Sequence, residues 1–165
     1  ILYNDFVAGA HMVYGWMPTI LKFNHILDVN EQNQLLEIIS KAQTDIILSH
    51  HDLLVLKKCI NNSLVGVSKY LHFINPNIYP IWDSHIARLV YQKNYNSVMQ
   101  DTNFYLKYLD CLHEIITYDE FNLLYLNLLN QLGKYSLPAV SKVRAIEMVI
   151  FSYSKSLKRN KVNIL

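Results

Sequence analysis

Glycine and proline are scarce in this chain, with four of each in 165 residues. An all-β sandwich or barrel needs far more turn punctuation, so the scarcity favours helices. Cysteine is scarcer still. Cys59 and Cys111 stand alone, without the CxxC or CxxH spacing of structural zinc or iron–sulfur sites and without the pairing of a disulfide framework. No metal or cofactor is expected. No apolar run approaches the roughly 18 residues of a membrane span and no signal peptide is seen, so the expected setting is reducing, cytoplasmic and away from membranes. Charge is sparse too: 17% of residues are charged and the net is +2, too little to hold nucleic acid by phosphate neutralisation alone.

What the chain does have is apolar material. Hydrophobic residues make up 52% of it, enough to fill a sizeable core and incompatible with a disordered polyelectrolyte. The length suits a single domain over 1–165. Nothing in it specifies an assembly, so a monomer is expected, with protein partners left open. The 12 Tyr and 6 Phe serve equally as core filler and as platforms on which bases stack.

Helical periodicity dominates. Leu2, Phe6, Val7, Ala10 and Val13 recur at helical spacing before a bend at Gly15 to Pro18. Asn30 is a candidate cap for a helix over 30–48 carrying Leu35, Leu36, Ile38, Ile39, Ala42, Ile46 and Ile47 on one stripe. A helix over 52–60 ends in the polar break Asn61-Asn62-Ser63. Gly66, among aliphatic residues directly afterwards, predicts a tight hairpin with positive φ over 64–69. Residues 75–80 form a loop. Asp83 then stands where a cap belongs, ahead of Ile86, Leu89 and Val90. Further helices are expected over 103–116, over 118–132 with Gly133 closing it, and from Pro138 onward. The expected fold is all-α, with no strand.

One block rises above this background, residues 64–88. It contains Leu64-Val65-Gly66-Val67-Ser68-Lys69 and, after a loop, Pro80-Ile81-Trp82-Asp83-Ser84-His85-Ile86-Ala87-Arg88. The block resembles the helix-hairpin-helix DNA glycosylase superfamily, which includes endonuclease III and 8-oxoguanine DNA glycosylase. There a hairpin L-P-G-V-G-x-K-T-A precedes a loop ending P-x-x-V-D-T-H-V-x-R. The strings S-K-x-L-H-F and D-S-x-x-A-R are similar to those of a compact bacterial branch with an 8-oxoguanine-glycosylase-like fold. The match covers about 25 residues, with Val65 in place of the proline and Ser68 in place of the second glycine. The resemblance implies two helical lobes flanking a cleft, duplex DNA as partner, base flipping, and excision of a damaged or modified base in DNA repair. It places the catalytic aspartate at Asp83. The position of the family's Schiff-base lysine holds Tyr70, with Lys69 one residue earlier, so hydrolysis without lyase action is implied. Leu64, Gly66, Val67, Ser68, Lys69, His85 and Arg88 are the implied DNA contacts.

The chemistry suits these residue types. Cutting an N-glycosidic bond puts positive charge on the sugar, and a carboxylate beneath C1′ stabilises that state while it activates water. Asp83 is such a carboxylate, and equally an ordinary helix cap. Lys69 is either an amine nucleophile or a phosphate contact. Lys155, Lys158, Arg159 and Lys161, a run without acids, are either a solvated helix end or backbone contacts for DNA. His72 reads as a packed or surface histidine. His50-His51-Asp52 looks metal-like, but adjacent histidines diverge on a helix. Tyr14, Trp16 and Tyr79 are core residues or base-stacking candidates. A noncatalytic helix-hairpin-helix module that binds DNA or protein, as in a mobile-element or phage-defence system, is the competing expectation.

Overall fold

The computed structural model of the chain describes residues 2–22, 27–91 and 98–162; the side chains of residues 158–162, including Lys158, Arg159 and Lys161, lie outside that description. Among the described residues the fold is all-α, with eight helices and no strand. They are α1 Tyr3–Tyr14, α2 Val29–Ala42, α3 His50–Cys59, α4 Leu64–Ile74, α5 Ser84–Tyr91, α6 Thr102–Ile115, α7 Asp119–Lys134 and α8 Lys142–Val162. None of the helices is long and apolar enough to cross a membrane.

Side-chain caps set several helix starts. Asp28 accepts from the Glu31 amide at 2.9 Å while Glu31 accepts from the Asp28 amide at 3.0 Å. This reciprocal box starts α2 ahead of Asn30, the expected cap, which lies inside the helix, and α2 ends at Ala42 instead of reaching 48, leaving Ile46 and Ile47 exposed beyond it. Ser49 and Asp52 form the same box before α3, so that helix takes in His50 and His51. Ser63 caps α4 through the Gly66 amide at 3.2 Å, and Asp101 caps α6. The last helix begins at Lys142, where the Ser141 hydroxyl accepts from the Arg144 amide at 3.1 Å. Pro138 is therefore loop, not a first-turn residue. Gly133 lies inside α7, and the left-handed position after that helix is Ser136, with φ 54°.

The hairpin expected over 64–69 is overturned. Residues 64 to 69 are all helical, and Gly66 has no positive φ. The reversal between α3 and α4 falls earlier, at Asn61 and Asn62, with φ of 52° and 51°. Asparagine tolerates the left-handed region, which frees the glycine for another task. A Cβ on Gly66 would sit 2.6 Å from the Tyr14 hydroxyl and 2.8 Å from Ile60 Cγ2. Gly66 thus serves the close packing of α1 and α3 on α4.

One cluster of buried apolar side chains runs from Phe6 in α1 to Ile146 in α8. Its centre is Trp82, fully buried with its ring centroid 5.3 Å from that of Tyr108 and 6.3 Å from that of Tyr105. Its indole N–H donates to the Met99 carbonyl at 3.1 Å. Tyr79, also fully buried, donates its hydroxyl to the Ile46 carbonyl at 2.9 Å. Trp82, Tyr79 and Tyr105, whose hydroxyl donates to the Pro80 carbonyl at 3.0 Å, satisfy their polar ends inside the core, whereas the buried Tyr108 hydroxyl has no hydrogen-bond partner among the described residues. These contacts pack the segment between α4 and α5 against Tyr105 and Tyr108 of α6. Helix α7 has no buried residue, and α8 packs mainly on α5.

Candidate functional site

The loop into α5 is fixed from both sides. The Trp82 amide donates to the Ser68 hydroxyl at 2.9 Å, and that hydroxyl points at the Val65 and Trp82 carbonyls at 3.0 and 3.3 Å. The Ile81 amide donates to Glu147 Oε2 at 2.9 Å. Between these anchors and the helix, Asp83 Oδ1 accepts from the His85 and Ile86 amides at 2.8 and 3.0 Å. Asp83 is therefore the N-cap of α5, as its sequence context predicts. Two backbone donors fix its carboxylate in orientation.

Lys69 on α4 and Asp83 line one pocket of about 170 Å³ together with Ile81 and, from α8, Arg144, Glu147, Met148 and Phe151. Glu147 is the most enclosed of the charged groups, 3% exposed. It pairs with the Arg144 guanidinium one turn earlier, and His72 Nδ1 lies 4.0 Å from its Oε2. Burial pushes the Glu147 carboxyl up to about 7, and it outweighs the Ile81 amide and Arg144, both of which favour the charged form. The nearby Asp83 charge acts in the same direction as burial. His72 is held below the ordinary histidine range, by burial first and by Arg144. Its Nδ1 lies 2.8 Å from the Tyr79 carbonyl, where the neutral ring donates. The pocket thus holds two carboxyl groups in different settings, one capped by amides and one buried, beside two cations.

The rim is aromatic and basic. The Phe151 ring meets His85 edge-on at 5.2 Å, and Lys155 Nζ lies 4.6 Å over the same ring. The His85 carbonyl accepts from the Ser154 hydroxyl at 2.8 Å. Arg88 is half-buried on the next turn of α5.

The remaining expected contacts behave differently. Leu64, Gly66, Val67 and Ser68 are buried, so none presents a side chain to a phosphate. Their amides are taken as well: Leu64 by Gln100 Oε1 at 2.9 Å, Gly66 by Ser63, and Val67 by the Ser63 carbonyl at 3.0 Å. The expected phosphate cradle at Gly66 does not form, because the chain is already helical there. Tyr14 and Tyr79 are core residues, whereas Trp16 is 85% exposed. His50 pairs with the Thr102 hydroxyl at 2.6 Å. Among the described residues no group of three His, Cys, Asp or Glu is placed to hold a metal.

Arg144 and Glu147 are absent from the sequence-based candidates. A signal for them exists: a charged pair spaced one turn apart within the apolar pattern Val143, Ile146, Ile150. No family model, curated protein or solved structure matches the chain.

Proposed function

We propose that this chain is a DNA-binding base-excision N-glycosylase that flips a damaged or modified base and hydrolyses its N-glycosidic bond. The observation that carries the reading is the convergence of Lys69, Asp83 and Glu147 on one pocket, with Asp83 fixed by two amides at the start of α5. On this reading the α3–α4 pair is a helix-hairpin-helix element whose turn lies at Asn61 and Asn62, and the pocket opens into a cleft between two helical lobes.

The pocket is smaller than the roughly 300 Å³ of ordinary ligand pockets. It takes the sugar edge of a flipped nucleotide, with the base against Phe151. Asp83 then faces C1′, stabilises the developing cation and orients the attacking water. Glu147, held near neutrality, donates a proton to the departing base, so that the base leaves as a neutral molecule while water adds to C1′ and gives up its proton to Asp83. Lys69 and Arg144 balance the carboxylates and meet the flanking phosphates, and Lys155 adds a backbone contact. On this reading the protein acts on duplex DNA as a monomer in the cytoplasm. Asp83→Asn tests the reading cleanly because asparagine caps a helix as well as aspartate does. Base release from modified duplex should be lost while folding and DNA binding remain.

The pocket's small volume favours one other reading, a noncatalytic module that binds DNA or a protein. On that reading Asp83→Asn leaves every property intact.

A further inference from the structure

A second concavity, unrelated to the Asp83 pocket, lies between α1, α2 and α4. Its volume is about 480 Å³, within the roughly 300–1,000 Å³ range of small-molecule sites. Asp5, Gly9, Met12 and Trp16 line it at spacings of four, three and four residues, a single face of α1 and its continuation. Eleven residues separate Asp5 from Trp16, which at about 1.5 Å per residue makes a trough of roughly 16 Å. Tyr70 and Phe73 of α4 form the facing wall.

The trough is built open. A Cβ on Gly9 would meet Tyr70 Cε2 at 3.0 Å, so the glycine lets that ring lie against α1 instead of filling the space. Met12, Trp16 and Phe73 stand at its edge, 73%, 85% and 66% exposed. Large apolar side chains gathered around a concavity are uncommon on a monomer unless something covers them. The charge in the trough is negative and sits at one end: Asp5 occupies the first turn of α1, and its Oδ2 accepts from the Leu2 amide at 2.7 Å. Its full charge exceeds the roughly half charge of the helix terminus beside it. A carboxylate at one end and an aromatic-lined apolar channel leading away from it complement an elongated apolar body with a cationic head.

We propose that the α1–α2–α4 trough is a binding site for a single-chain cationic amphiphile, an amine or quaternary ammonium on an apolar tail of about 15 Å. The head pairs with Asp5 and the tail runs over Gly9 toward Trp16. The site is independent of the glycosylase reading and stands or falls without it.

Fluorescence gives the test, because the chain has two tryptophans and Trp82 is fully buried. A change in emission on titration therefore reports Trp16. The probes are decyltrimethylammonium, decanoate and decyl maltoside, each kept below its micelle-forming concentration. The cationic probe should give a saturable blue shift with affinity about tenfold above decanoate, a difference of about 1.4 kcal/mol. Asp5→Asn should bring the two probes within about threefold of each other, and Met12→Lys, at an exposed site, should abolish cation binding with helicity unchanged. No saturable shift with decyltrimethylammonium, equal affinity for decanoate, or an undiminished cation preference in Asp5→Asn would each overturn the proposal.

Discussion

Glu147→Gln removes one ionisation from the core while keeping the shape of the side chain and an oxygen to accept the Ile81 amide. In the unfolded chain Glu147 titrates near 4.5; in the fold burial lifts it to about 7. Between those values the native state keeps a proton that the unfolded state has released, so stability falls as pH rises through the window. Below pH 4.5 both states are protonated and the term vanishes; above about 7 both are ionised and the loss is complete. At about 1.4 kcal/mol per pH unit the full loss is about 3 kcal/mol. Urea unfolding of both proteins across this window, followed by helical circular dichroism, isolates the effect as a difference of differences. Wild type should lose about 3 kcal/mol more than Glu147→Gln. Stability curves that run parallel with pH would show an ordinary carboxyl and would remove Glu147 as a proton donor near neutrality.

The packing makes further claims. Gly66→Ala forces a methyl group toward Tyr14 and Ile60 at the distances above, and calorimetry should show a loss of about 1–3 kcal/mol. Ser68→Ala leaves the buried Trp82 amide without its acceptor; denaturant unfolding should register a cost of about 1–3 kcal/mol. Asn62→Gly relieves a left-handed residue in the turn between α3 and α4, and an unchanged or slightly raised melting temperature is expected. A drop of more than about 1 kcal/mol there would mean that the asparagine side chain holds the turn.

Much of the fold was legible because period-3.6 apolar stripes persist through α1, α2, α6 and α7, and because Asp83 stands directly before the apolar positions of α5. The boundaries were less so. Ser49 and Ser141 cap their helices where His50-His51 and Pro138 drew attention, since a polar cap competes quietly with more conspicuous neighbours. Gly66 was misread for a physical reason: glycine marks either a positive φ or a close approach, and the sequence alone does not distinguish them. The actual turn rests on two asparagines that read as an ordinary polar break. Lys69 and Asp83 were legible as a pair through their local motif, and they do line one pocket. Glu147 was not, because its partner Ile81 is 66 residues away and its character comes from burial that only tertiary packing creates.

The most direct test of the glycosylase account is binding to duplex DNA carrying an abasic-site analogue against matched undamaged duplex, at two salt concentrations, for wild type and Asp83→Asn. A pocket shaped for an extruded nucleotide predicts a preference of about tenfold or more for the abasic duplex, one that survives the higher salt and persists in Asp83→Asn. Equal binding to both duplexes that collapses with salt, or no binding to either, would contradict the account.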